Sequence, residues 1–178
     1  MRSTSQSTDS SWLNTHLFRL DEGWLGQVRL LSFLGNGHVT QAVSADAQFG
    51  DDIQLDAVEI LDSVTVPDGV VRVRLIWQAL RPISQLLITC AHLVDAVSGR
   101  LVAQHYGQPV GDQRPTNTWR TEEVITDQFA MRVSPETPPG DYQLRLGLYD
   151  MDQQGRVPVH NPDDDSQDWF VGGSITVR

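Results

Sequence analysis

Lysine is missing altogether from this chain of 178 residues; all thirteen basic residues are arginine. Chemistry that needs a Schiff-base lysine or a P-loop lysine is therefore excluded. Cysteine occurs once, at Cys90. No intrachain disulfide can form, so the fold must hold by its core. Cys90 lies inside the run Leu86-Leu87-Ile88-Thr89-Cys90-Ala91, which predicts a buried packing residue and not an activated nucleophile. Positive charge is scarce. Twenty-three acids give a formal net charge of −10 and a pI near 4.7. Such a surface excludes nucleic acid as a partner and lacks the basic cluster of an electrostatic membrane anchor. No apolar run approaches the ~18 residues of a membrane span, so no insertion by this chain is expected. Residues 1–11 are rich in Ser, Thr and Gln, and their lack of an apolar segment rules out a signal peptide. A complete chain of this kind is expected in the cytoplasm. As a piece of a membrane protein, it would lie outside it.

Regular alternation is what the chain does have. Pro138-Pro139-Gly140-Asp141 is a lead-in turn, and Tyr142, Leu144, Leu146 and Leu148 then share one strand face. A Tyr after a Pro-Gly turn, at the head of a strand, matches the tyrosine corner of Ig-like sandwiches. Ile53, Leu55 and Ala57 alternate, as do Val71, Val73, Leu75 and Trp77, the latter against a wet face of Arg72, Arg74 and Gln78. The stretch 86–94 is almost continuously apolar and reads as a strand covered on both sides. Ser98-Gly99 turns into its hairpin partner, residues 100–106. Residues 107–120 form a long loop without periodicity, for which Trp119 is the natural pin. Gly172-Gly173 marks a bulge in the last strand. Residues 12–34 fit either a helix or strands, with the strand reading preferred. The expected fold is all-β, an antiparallel two-sheet β-sandwich of Ig-like type. The expected organisation is a disordered tail over residues 1–11, an N-terminal appendage of uncertain structure over 12–46 and the sandwich over 47–178.

Several strings carry a resemblance. They are Phe49-Gly50-Asp51-Asp52-Ile53-Gln54-Leu55, His92-Leu93-Val94-Asp95, Ala103-Gln104, Pro109, Pro115-Thr116, Trp119, Asp127, residues 139–150 and Arg156-Val157-Pro158-Val159. Over residues 47–178 the chain resembles the soluble C-terminal β-sandwich region of large bacterial membrane glycosyltransferases of the dolichyl-phosphate-mannose mannosyltransferase type. The resemblance implies an extracytoplasmic, non-catalytic module, the catalytic carboxylates lying in a membrane part that this sequence does not contain. Tyr106 stands where that region often has Asp, and Thr121 where it often has Gly. A site built on that Asp is in doubt here.

Candidate sites follow from residue types and spacing. Trp119, Tyr106 and Tyr149 could present aromatic faces to sugar rings, with loop-pinning as the competing role for Trp119. Asp150-Met151-Asp152-Gln153-Gln154-Gly155 matches the start of a calcium loop, but Asn161 stands where the bidentate Glu belongs. A plain hairpin turn competes with it. The stretch 161–168 carries four carboxylates, and a Ca²⁺ shared by Asp150, Asp152, Asp163 and Asp165 is the metal candidate; a solvated loop is its alternative. No other cofactor is expected. His92 and His105 sit on a predicted hairpin with Asp95 and Asp127 as candidate neighbours, for acid–base work or the beginning of a zinc site. A hydrogen-bonded structural role competes there too. No Gly-x-Ser-x-Gly elbow is present. The expected function is a non-catalytic accessory module of a glycosyltransferase-like system, contacting carbohydrate or a protein domain. The alternatives are a calcium-stabilised adhesion-type domain and a small hydrolase with a hidden carboxylate site.

Overall fold

The structure is a computed structural model, and it describes residues 10–160 and 168–178. After a short helix, α1 (Ser11–His16), the chain is built from strands. These are β1 (Phe18–Leu25), β2 (Val28–Leu34), β3 (Gln41–Phe49), β4 (Ile53–Ile60), β5 (Val64–Thr65), β6 (Val70–Ala79) and β7 (Leu87–Asp95). They continue with β8 (Leu101–Gly107), β9 (Val124–Arg132), β10 (Gly140–Asp150), β11 (Gly155–Arg156), β12 (Val159–His160) and β13 (Phe170–Val177). Two sheets face each other. One has the order β12-β3-β4-β6-β9-β1-β2, and the other β5-β13-β10-β7-β8, with β11 paired to the end of β10. Pairing is antiparallel except for two short contacts, β1 with β9 and β5 with β13. The all-β sandwich expected from alternation is thus what forms.

The core lies where the alternating apolar faces meet. Phe49, Leu55, Leu75 and Trp77 of the first sheet pack with Leu93, Leu144 and Leu146 of the second. The wet face of β6 is ion-paired: Arg72 bonds Asp62 and Arg74 bonds Glu59, both at 2.7 Å. At the head of β10 the Tyr142 hydroxyl donates to the Pro138 carbonyl at 2.8 Å, which closes the predicted tyrosine corner. The register of β10 against β13 slips at Gly172, as the Gly-Gly pair predicts.

The N-terminal appendage is corrected by the structure. Residues 18–46 are not separate from the sandwich, because β1, β2 and β3 are strands of its seven-stranded sheet. Phe18 is the reason. It is fully buried on the outer side of that sheet with Leu61 and Ala130, and it lies under the guanidinium groups of Arg72 and Arg74. Of residues 12–34, for which strands are the preferred reading, 18–25 and 28–34 are strands whereas 12–16 belong to α1, and the tip of the β1–β2 hairpin projects with Trp24, Leu25, Val28 and Leu30 exposed. Residues 1–9 of the expected tail lie outside the described residues, and α1 begins at Ser11. Strand β7 is an inner strand of its sheet, between β10 and β8, and residues on both of its faces are buried or half-buried.

Candidate functional site

The outer face of the second sheet carries the site. Alternation turns Ile88, Cys90 and His92 outward on β7, and Arg145, Gly147 and Tyr149 outward on β10. The ladders bring them side by side. Arg145 faces His92, Gly147 faces Cys90, and Tyr106 of β8 faces Cys90 from the other flank. Arg156 of β11 faces Tyr149. Two small residues, Cys90 and Gly147, therefore form a low floor between large ones.

Trp169 occupies that floor. A Cβ on Gly147 would come within 3.3 Å of the Trp169 indole, so any larger residue would press on the ring. The His92 ring lies 4.6 Å from the indole, centroid to centroid, tilted by 42°. The Arg156 guanidinium is 4.1 Å from the indole centroid, a cation–π contact. The imidazole Nε2 of His92 and the Tyr106 hydroxyl share a hydrogen bond of 2.5 Å. Tyr106 is 47% exposed, so part of its ring faces solvent. The result is an aromatic and cationic platform: Tyr106, His92, Trp169, Arg156, with Tyr149 and Arg145 along one side.

The charge states follow from the surroundings. Burial, helped by the charges of Arg156 and Arg145, holds His92 below the usual imidazole value, so the ring is neutral at pH 7. Burial, with Cys90 and Tyr149 nearby, raises Tyr106, against the opposing pull of Arg156. Burial pushes the Cys90 thiol up to about 11, which leaves it an unreactive part of the floor. The platform can thus offer ring faces, a phenol and an imidazole for hydrogen bonds, and guanidinium charge.

The sequence-chosen residues are only partly brought together. Tyr106 and Tyr149 stand on the platform. Trp119 does not: it is 4% exposed, and its Nε1–H donates to the Arg114 carbonyl at 2.9 Å. It pins the 107–120 loop, and its burial removes it from any solvent-facing sugar site. Asp150 is buried at the β10–β11 turn, where its Oδ1 accepts from the N–H of Asp152 (2.8 Å) and Gln153 (3.1 Å). Its lone pairs already serve the turn. Asp152 is exposed beside it, whereas Asp163 and Asp165 lie outside the described residues. Among the described residues no group of three or more His, Cys, Asp or Glu is placed to hold a metal.

His92 and His105 do not form a pair. Ala91 and not His92 faces His105 across the β7–β8 ladder, so the two rings are on opposite sides of the sheet. His105 stacks on Phe129 at 4.0 Å, and burial takes its pKa down to about 4. Asp127 is buried and accepts from Thr89 Oγ1 at 2.9 Å and from the Val110 N–H at 2.8 Å. Burial raises it to about 6 in spite of those bonds. Asp95 caps its turn, accepting from Val97 and Ser98.

His92, Trp169, Arg145 and Arg156 were missed as platform members. One signal was present: a glycine in the middle of a strong strand, Gly147, marks a place where another group approaches closely. No sequence rule says that the group is Trp169.

No family model matches the chain, and no curated protein matches its sequence. Several solved structures are similar in shape, two of them as follows. A Niemann-Pick type C2 protein from Japanese carpenter ant is 7% identical, with a TM-score of 0.44, over 75% of this chain and 98% of that one. The C-terminal domain of wzt is 13% identical, with a TM-score of 0.47, over 78% of this chain and 77% of that one. The assignment of an all-β, Ig-like sandwich rests on this chain's own ladders and tyrosine corner.

Proposed function

We propose that this protein is a non-catalytic carbohydrate-contacting module, an accessory part of a glycosyltransferase-like system. One observation carries the reading. Tyr106, His92, Trp169 and Arg156 are joined on the outer face of a sheet, over a floor of Cys90 and Gly147. Rings that are apolar on the face and polar at the rim suit sugars, which have an apolar face and a hydroxyl edge. The rings are held by contacts with one another and with Arg156 before any ligand arrives, which lowers the cost of binding. The resemblance to glycosyltransferase C-terminal regions supports the setting and not the site itself.

A glycan array probed with wild type, Trp169→Ala and Tyr106→Ala tests the reading. Wild type should bind at least one glycan, and each substitution should weaken binding by about tenfold or more, as loss of an aromatic anchor does. Unchanged melting temperatures would show that the variants are folded. Absence of any glycan binding by wild type would sink the carbohydrate reading.

A further inference from the structure

Charge on the platform narrows the ligand. Six of the arginines, at positions 19, 29, 72, 74, 114 and 132, are paired with carboxylates. Arg145 and Arg156 are not among them. Arg145 makes one long contact, 3.4 Å, with Gln143 Oε1. Arg156 lies over Trp169. Among the described residues neither has an acidic partner. The molecule as a whole carries a net charge of −10, so two arginines on one small face with no acidic partner among the described residues run against its general sign. They also bracket a third nitrogen group. Arg145 stands directly opposite His92 in the ladder, and Arg156 shares the Trp169 indole with His92. Both guanidinium charges act on His92, and an anion placed beside that neutral ring would be attracted by both. A guanidinium presents a planar fork that fits a carboxylate with two parallel hydrogen bonds.

We infer that the platform takes an anionic saccharide, whose carboxylate sits between Arg145 and Arg156 beside His92 while its ring packs on Trp169 and Tyr106. This rests on the carbohydrate reading above and adds the class of sugar to it. The neutral imidazole supplies a hydrogen bond and leaves the charge to the arginines. The contact with Trp169 holds the Arg156 guanidinium in place, so less freedom is lost when the anion arrives.

The test is a calorimetric titration with three probes: a galacturonate trimer, the neutral galactose trimer and a sulfated galactan oligomer. Each is run on wild type, Arg145→Gln, Arg156→Gln and Trp169→Ala. An acidic probe should bind wild type at least about tenfold more tightly than the neutral one, the scale of a charge-assisted hydrogen bond. Added salt should erode that preference, because exposed charges are screened. Either arginine substitution should bring the acidic probe down to the neutral level, with an unchanged melting temperature. Preference for sulfate over carboxylate would support the anionic class and correct the acid group. Equal binding of neutral and acidic probes, both lost in Trp169→Ala, would overturn the anion proposal and leave the platform standing. An acidic preference that survives both arginine substitutions would also overturn it. Failure of all three probes to bind would overturn both the proposal and the reading beneath it.

Discussion

The Tyr142 hydroxyl ties the turn before β10 to the strand itself through its bond to the Pro138 carbonyl. Tyr142→Phe keeps the ring and removes only that bond. It should lower stability by ~1 kcal/mol, read from chemical denaturation. Two buried ionisable groups act at the same scale and in opposite directions. His105 has a folded pKa of about 4, below its ordinary 6.5. Its neutral form contributes stability that is full above pH 6.5 and is lost as the pH falls towards 4. Asp127 has a folded pKa of about 6, above its ordinary 3.8. Its protonated form contributes stability that is full below pH 3.8 and is lost as the pH rises through about 6. Each shift of about two units is worth on the order of 3 kcal/mol. Between pH 4 and 6 the two slopes offset each other. His105→Phe keeps the stack on Phe129, and relative to wild type it should gain stability as the pH falls through that window. Asp127→Asn should lose it. Denaturation midpoints measured across the window decide the matter; parallel profiles for wild type and both variants would refute the assignment.

The 107–120 connection is the element that sequence patterns describe least. Val110, Gly111 and Asp112 take φ values of 57°, 59° and 70°, a left-handed turn. A β-branched residue is costly there. The surroundings hold it: Val110 is buried, its N–H is taken by Asp127, and Arg19 bonds both the Gly111 carbonyl and Asp112. At Gly111 a Cβ would also come within 2.5 Å of Asn14 Oδ1. Gly111→Ala should therefore destabilise by roughly 1–3 kcal/mol, through left-handed strain and displacement of α1. Thermal melting reads the cost. A variant as stable as wild type would show that α1 yields freely at this contact.

Across the whole molecule, burial is uneven. The strands β4, β6, β9, β7 and β10 bury one face in a shared core, whereas the tip of the β1–β2 hairpin shows Trp24, Leu25, Val28 and Leu30 to solvent. A two-stranded arm of this kind is marginal alone. Hydrogen exchange should follow the gradient. Amides of β6, β7 and β10 should exchange by global unfolding, and those of residues 22–31 by much smaller openings. Slow exchange in the arm would mean that something covers it in solution. The arm also holds the ion pairs of Glu22 with Arg19 and Arg29. Exposed pairs contribute little, so these do not change the expectation.

Local physics made some of this protein legible in its sequence. Alternation along 53–61, 70–79 and 140–150 specifies half-buried strands, because side chains on a strand switch faces at every residue. Tyr142 after its Pro-Gly turn, the Gly172 bulge and the burial of Cys90 were readable for the same reason: each depends on near neighbours. The roles that needed the tertiary structure depend on residues far apart in the chain. Phe18 joins 18–46 to the sandwich only because Leu61 and Ala130 come to meet it. Trp119 had a choice between solvent and core, and the Arg114 carbonyl and the packing around the indole decided for the core. The platform unites positions 92, 106, 145 and 156 from four strands with Trp169, which immediately precedes β13. Which outward positions become neighbours is set by ladder registers, and those are fixed by the packing of the opposite, buried face. The sequence alone therefore determined a β-sandwich and its net charge of −10, and the tertiary structure decided where its aromatic and cationic groups converge.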